Sequence, residues 1–397
     1  MLSRSDIHKI AEILIPSRKI KVFGYYQFTE SELKDNFVLI DSNIGCSDIR
    51  NVIWFLPQIA NINAGGIVTI LKLAQYLSVR LEIDNIFVFE KNINKQQIDA
   101  VNSMYPGIKY EVVQSGNPKT LPSACVGICT FWTTAFSLLK YNKCKRKYYL
   151  LQDDERSFYA KGSHYSLVES TYTFGFTGIS NSFSIQKIYQ EISGKDCFVY
   201  RPGIDESLLS LREIERPSGK TNVLVYCRPS HQRNCFEAII VSLKNVASFL
   251  GDDYIFHLVG ETISKNKYDL NKQFIVHGNI SDKMKIRELY SSCSFGISFI
   301  TSPTYSYHQL DIISSGICLI SNHNEELKKS FDEGCLYFVG ASPSEIEISL
   351  PNILTDRSSA EDKIVNSYNV ISQYSWELCG KAISNILRNK SYAKDYS

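Results

Sequence analysis

Two arginines five residues apart carry the strongest chemical signal in this 397-residue sequence. Arg228 and Arg233 lie in Tyr226-Cys227-Arg228-Pro229-Ser230-His231-Gln232-Arg233-Asn234, directly after the apolar run Asn222-Val223-Leu224-Val225-Tyr226. A guanidinium makes two parallel bonds to phosphate oxygens and does not deprotonate at physiological pH. Two of them at this spacing can flank a diphosphate. Fixed positive charge aimed there stabilises a departing nucleoside diphosphate as its negative charge grows. A solvated loop is the rival reading. Placement at the carboxyl end of a strand, where ligands of open α/β sheets bind, favours the chemical one.

Three further constellations sit at equivalent places. Asn63-Ala64-Gly65-Gly66-Ile67-Val68-Thr69 follows a strand and opens a helix. Gly65 and Gly66 let backbone amides approach an anion, and a helix N-terminus favours negative charge. The run is not the Gly-x-Gly-x-x-Gly fingerprint, and a plain tight turn explains it equally well. The hydroxyl-rich segment Thr301-Ser302-Pro303-Thr304-Tyr305-Ser306-Tyr307-His308-Gln309-Leu310-Asp311 leads into a helix expected to begin near Tyr305. Amides around Thr304 and Tyr305 can hold phosphate. Asp311 offers a carboxylate to ribose or sugar hydroxyls, or simply favours the helix dipole. Leu151-Gln152-Asp153-Asp154-Glu155 ends another strand. Asp153 and Glu155 can bind acceptor hydroxyls or act as a base, against the alternative of a solvated acidic turn. One short acidic run without other ligands is a poor magnesium site. Gly260-Glu261 and Gly278-Asn279-Ile280 end two more strands and can present backbone groups to a nucleobase. Of the seven histidines only His231 and His308 fall in these loops, and none has metal spacing.

The elements that position these residues alternate regularly. Val52 to Leu56, Asn85 to Phe89, Ile108 to Val113, Ala124 to Thr130 and Tyr148 to Leu151 read as strands, with helical patterns between them. The series restarts after Arg201-Pro202-Gly203-Ile204-Asp205, a plausible hinge. Its strands are Asn222 to Tyr226, Tyr254 to Val259, Phe274 to His277, Phe295 to Phe299, Ile317 to Ser321 and Leu336 to Val339. The alternation predicts α/β architecture: two doubly wound, Rossmann-like domains facing across a cleft. The expected division is 1–205, with 1–50 an extension of unassigned form, then 206–370, then a terminal helix in 371–397 returning to the first domain. Hinge closure over such a cleft excludes water.

Composition narrows the class. A net charge of +2 argues against a large nucleic-acid footprint. The 11 cysteines are odd in number and scattered, as expected for reduced thiols in a cytoplasmic protein, and Cys125 with Cys129 lacks the second pair that a zinc site needs. The start has no apolar core of signal-peptide length, and no run reaches a membrane span. The expected place is the cytoplasm, with peripheral contact at the inner membrane face where lipid-linked acceptors sit.

Four segments together resemble one family. A strand and Gly-Gly turn from Trp54 to Thr69, the run Gln152, Asp153 and Glu155, the segment Glu169-Ser170-Thr171-Tyr172-Thr173-Phe174-Gly175-Phe176, and Tyr226 to Asn234 are similar to the GT-B glycosyltransferases, specifically a bacterial rhamnosyltransferase branch of the large retaining family. The resemblance spans roughly Val52 to Asn322. It implies that Arg228 and Arg233 hold the donor diphosphate and act in catalysis with Asp153. It places Gly65 and Gly66 on the phosphate side and Asp311 at the nucleotide ribose. Asn234, Gly260, Asn279, Ile280, Thr304 and Tyr305 complete the expected donor contacts, and Asp153 and Glu155 the acceptor contacts. Two departures stand out. Asp311 replaces the usual Glu, and Pro303 occupies the place of an acid eight residues earlier. The implied reaction moves a sugar, rhamnose from dTDP-rhamnose as the first expectation, to an oligosaccharide or lipid-linked glycan of a capsule or O-antigen. No metal, cofactor or nucleic acid is expected. A nucleotide-sugar or glycan binding protein without turnover is the main alternative. An NAD-dependent oxidoreductase is a third, against which the missing dinucleotide fingerprint counts.

Overall fold

The structure, a computed structural model, describes residues 26–42, 48–59, 61–114, 116–216 and 219–388. The first domain runs α1 (Glu30–Ser42), β1 (Asn51–Leu56), α2 (Gly65–Leu81), β2 (Asp84–Phe89), α3 (Lys95–Met104), β3 (Tyr110–Gln114), β4 (Ala124–Cys129), α4 (Trp132–Lys140), β5 (Cys144–Leu151), α5 (Ser163–Tyr172), β6 (Thr177–Ser180), α6 (Phe183–Ser193) and β7 (Cys197–Val199). The second runs β8 (Thr221–Cys227), α7 (Phe236–Leu250), β9 (Tyr254–Gly260), α8 (Lys265–Tyr268), β10 (Phe274–Gly278), α9 (Lys283–Ser292), β11 (Phe295–Ile297), α10 (Tyr307–Ser314), β12 (Cys318–Asn322), α11 (Glu325–Ser330), β13 (Tyr337–Val339), α12 (Pro343–Thr355) and α13 (Arg357–Ile371). α14 (Trp376–Leu387) follows.

The first sheet has seven strands in the order β3-β2-β1-β4-β5-β6-β7, and the second has six in the order β10-β9-β8-β11-β12-β13. Every recorded pairing is parallel. Burial on both faces explains the unbroken apolar strands. In β1, Val52, Trp54 and Leu56 face one core layer while Ile53 and Phe55 face the other. In β8, Val223 and Val225 share a layer and Leu224 points to the opposite one. In each sheet the winding direction reverses beside its first strand, between β1 and β4 and between β8 and β11. Loops leaving carboxyl ends at such a reversal diverge and leave a crevice.

The sequence passes over β6 and β7. β6 has four residues of which only Ile179 is a large apolar one, and β7 has only three, Cys197-Phe198-Val199, so neither makes an apolar run of ordinary strand length. The unassigned first 50 residues include α1, and the parts at 1–25 and 43–47 lie outside the described residues. α1 is tied to the sheet by a buried polar knot. Lys147 Nζ donates to Asn36 Oδ1 at 2.8 Å, Asn142 Oδ1 at 3.1 Å and the Leu139 carbonyl at 3.2 Å, and Asn36 donates to the Phe174 carbonyl at 2.7 Å.

α14 joins the core of the first domain. Cys379, Ala382, Ile383, Ile386 and Leu387 share the layer of α2. Arg80 and Glu377 pair at 3.1 Å on its rim. Gly380 lets the two helices touch, because a Cβ there would meet the Tyr76 ring. Gly380→Val is therefore expected to lower stability by about 1–3 kcal/mol through overpacking. Urea denaturation of the variant beside the parent checks this, and equal midpoints would disprove the close approach.

Candidate functional site

The carboxyl edges of the two sheets face each other, and the loops singled out by chemistry meet between them. Arg233 projects from a short 3₁₀ turn (Gln232–Asn234) after β8. Its guanidinium lies 4.4 Å over the ring of Phe158 in the first domain. Its Nε is 3.3 Å from Asp153 Oδ2, with both side chains largely buried. Burial pushes the Asp153 carboxyl up to about 6, against the opposing pull of the Arg233 charge. Burial and the neighbouring Arg228 charge weaken the Arg233 guanidinium's hold on its proton, while Asp153 strengthens it.

Arg228 remains half-exposed. It approaches Glu261 at 3.6 Å and donates weakly to the Tyr226 hydroxyl at 3.5 Å. Glu261, the residue after β9, also accepts from the Ser230 amide at 3.1 Å and from its hydroxyl. Burial, then the charges of Arg228 and Arg233, push the His231 imidazole down to about 4, so it is neutral at physiological pH. Gly260 is required for backbone reasons. Its φ is +126°, and a Cβ would meet the Cys227 carbonyl oxygen at the end of the neighbouring strand.

Across the cleft, α2 begins at Gly65 without a side-chain cap. Among the described residues the Gly65 and Gly66 amides take no backbone acceptor. The Gly65 α-carbon lies against the ring of Tyr307, whose hydroxyl is 2.6 Å from Thr69 Oγ1. Gln152 Nε2 donates to the Gly66 carbonyl at 3.1 Å, so the strand-end glutamine braces the glycine corner. Asp311 lies one turn into α10, and its carboxylate makes no hydrogen bond or ion pair among the described residues, while its carbonyl accepts from the Ser315 amide and hydroxyl. Burial, then the charge of Asp205, push its carboxyl up to about 7. His308, one turn earlier, stacks on Tyr226 with ring centres 4.3 Å apart. Burial pushes its imidazole down to about 3, and neither ring nitrogen has a hydrogen-bond partner.

Several of the expected contact residues make internal bonds. Glu155 is buried inside the first domain, where Oε2 accepts from the Trp132 amide at 2.6 Å and the Tyr149 hydroxyl at 3.0 Å. It anchors the start of α4, with Oε2 already taken by these two donors. Asp154 takes a two-pronged bond from Arg156, at 2.9 Å on each oxygen. The three acids of the run thus serve three separate partners. Asn234 is buried and ties its loop to the Phe299 carbonyl at 3.1 Å. α10 begins at Tyr307 with Ser306 as its cap, two residues later than the sequence implies. Thr304 and Tyr305 precede it and turn into the domain seam. The Tyr305 hydroxyl donates to the Asn181 carbonyl at 3.0 Å, and Thr304 Oγ1 to Asn181 Oδ1 at 3.4 Å. Pro303, in the place of the family's first acid, offers only a carbonyl, which accepts from Ser182 Oγ at 3.1 Å. Asn279 and Ile280 follow β10, the outermost strand on its side. Asn279 is exposed, while Ile280 packs against the layer containing Tyr290. An open groove of about 840 Å³ lies at the amino ends of β1 and β2 and along β3, away from the arginines.

Sequence reading missed a carboxylate that bridges the seam. Glu326 on α11 accepts from the Phe183 amide at 2.8 Å, the Ser184 amide at 3.0 Å and the Ser184 hydroxyl at 2.8 Å, all at the start of α6 in the other domain. A carboxylate at a helix N-terminus satisfies free amides and meets the positive end of the dipole. No local pattern signals it, since the partners are 142 residues apart.

Two parallel-sheet α/β domains that face each other through their carboxyl edges have the GT-B architecture. Residues 221–350 match the family described as WsaF, C-terminal domain. The chain is 25% identical over 337 residues to the O-antigen biosynthesis protein RfbC of Myxococcus xanthus. The match covers 83% of this chain but 26% of that protein, so the chain spans about a quarter of its curated relative. Among solved structures, Anabaena Alr3699/HepE in complex with UDP-glucose superposes with a TM-score of 0.67 at 14% identity, covering 85% of this chain and 99% of that one. WaaG, a glycosyltransferase involved in lipopolysaccharide biosynthesis, gives 0.60 at 12% identity, with 85% and 99% covered. Among the described residues no helix is long and apolar enough to cross a membrane.

Two outcomes test this geometry. The folded chain holds the Asp311 proton more tightly than an unfolded chain does, whose carboxyl lies near 3.8. The stability it contributes is therefore full below about pH 4 and lost as pH rises through about 7. Asp311→Asn should flatten that slope and raise the melting temperature of the ligand-free protein at pH 8, read by differential scanning calorimetry. Glu326→Ala should cost about 1–3 kcal/mol in urea denaturation, the loss of a charged cap and its seam contacts. It should also enlarge the radius of gyration in X-ray scattering.

Proposed function

We propose that this chain is a glycosyltransferase that moves a sugar from a nucleoside diphosphate to a growing bacterial surface polysaccharide. The observation that carries the reading is the buried Arg233 guanidinium, which lies at the seam of two facing sheets with Arg228 on the same loop. The donor's diphosphate lies against Arg228 and Arg233, with the free amides of Gly65 and Gly66 across the cleft. Asp311, without a partner of its own, accepts from ribose hydroxyls. Asp153 faces the reacting sugar or the acceptor.

As the bond between the anomeric carbon and the diphosphate oxygen breaks, charge accumulates on that oxygen, and the guanidinium groups stabilise it in place. Closure of the seam excludes water that would compete with the acceptor hydroxyl. The relatives support the substrate class: HepE is solved with UDP-glucose, and RfbC is an O-antigen biosynthesis protein. Within the class, dTDP-rhamnose is the proposed donor and a lipid-linked or oligosaccharide glycan the acceptor, reached from the cytoplasmic face of the membrane. Fixed cations make the reaction independent of a metal ion.

Arg228→Ala is expected to raise the barrier by about 2–4 kcal/mol, a loss of roughly 10²–10³ in rate, while leaving the melting temperature nearly unchanged. Release of nucleoside diphosphate from a panel of nucleotide sugars, with and without chelator, measures this. An unchanged rate removes Arg228 from the mechanism. Binding without product for every donor and acceptor pair would favour a non-catalytic sugar-nucleotide binder.

A further inference from the structure

Asp153 and Arg233 form an ion pair whose geometry differs from that of its neighbour. Asp154 and Arg156, adjacent to Asp153 in sequence and within one domain, meet through two bonds of 2.9 Å. Asp153 and Arg233 join different domains through one 3.3 Å approach. That approach misses hydrogen-bond alignment. Arg233 Nε and Asp153 Oδ1 are both buried without a hydrogen-bond partner. Buried polar atoms left in this condition are costly, and a chain that needed the pair only for stability gains by forking it, as Asp154 does. Arg233 is meanwhile held by a different contact, the Phe158 ring 4.4 Å beneath its guanidinium. The cation therefore keeps its place when the carboxylate leaves.

We propose that the Asp153 carboxylate is a built-in stand-in for a donor phosphate, occupying Arg233 while the cleft is empty and displaced from it when a nucleoside diphosphate binds. The inference rests on the reading of the cleft as a nucleotide-sugar site and adds a regulatory step to it. A phosphate supplies more acceptor oxygens than a single carboxylate edge and can satisfy the guanidinium fork that Asp153 leaves open. Burial already pushes the Asp153 carboxyl up to about 6, so the pairing compensates its charge incompletely. Displacement frees that carboxylate beside the donor only when a donor is present. An empty enzyme thus keeps its cation neutralised and its base occupied. The apparent affinity for the donor is reduced by the fraction of molecules in which the pair is formed.

The test is calorimetric titration of UDP and dTDP into the full chain and into Asp153→Asn, Asp153→Ala, Arg233→Ala and Asp153→Asn/Arg233→Ala. Removing the competing carboxylate should tighten nucleoside diphosphate binding about five- to fiftyfold, a typical coupling between sites. The same change in the Arg233→Ala background should leave affinity unaltered. Uridine and thymidine, which lack phosphate, should bind the parent and Asp153→Asn alike. Either Asp153 variant with a melting temperature at or above the parent's suffices, so a folding fault in one does not decide the outcome. Unchanged or weaker binding in the Asp153 variants overturns the inference. So does equal tightening without Arg233. A parent that binds diphosphates and transfers sugar while its Asp153 variants bind no tighter sinks this inference alone. A parent that binds no nucleoside diphosphate and transfers no sugar sinks the glycosyltransferase reading and this inference together.

Discussion

A guanidinium withdrawn from water at the seam of two domains must be compensated, and much of the cleft is arranged around that constraint. Arg233 is supplied by the second domain, while the ring beneath it and the carboxylate beside it come from the first. Neither domain alone provides the full surroundings of the cation. The site therefore exists only when the domains are together, which couples its electrostatics to their relative position.

The same logic recurs along the seam in neutral and charged form. The Tyr305 hydroxyl reaches the Asn181 carbonyl, Ser182 reaches the Pro303 carbonyl, and Tyr307 meets Thr69. Glu326 closes the free end of α6 from the opposite domain. Each such bond replaces one to water and is worth about 1 kcal/mol net. Their sum holds the domains closed without making closure irreversible. Opening returns every one of these groups to solvent partners.

The architecture was legible because buried parallel strands write themselves as unbroken apolar runs. Val52 to Leu56 and Asn222 to Tyr226 are examples, and their loops mark the cleft by topology alone. β6 and β7 were not legible, because four residues such as Thr177-Gly178-Ile179-Ser180, or the three of the edge strand β7, are too short to make such a run. Arg228 and Arg233 stood out because guanidinium has few roles at a strand end. Asn234, Thr304, Tyr305 and Glu155 did not separate from ligand contacts, because amides, hydroxyls and carboxylates serve backbone and ligand equally. Which they serve is decided by neighbours far away in sequence, as Trp132 decides it for Glu155.

The backbone passes between the domains twice, once from β7 toward β8 and once from α13 to α14. The two passages touch, since a Cβ on Gly203 would strike Trp376. Trp376 in turn lies parallel to the Tyr307 ring, 6.1 Å away. Two strands of chain pinned together at one point act as an axle, where a lone linker would act as a tether. The domains are left with rotation about that point and little freedom to drift apart or slide. A rotation about that point would return the same two faces to the same alignment, so a cleft assembled from both halves would be rebuilt in the same form.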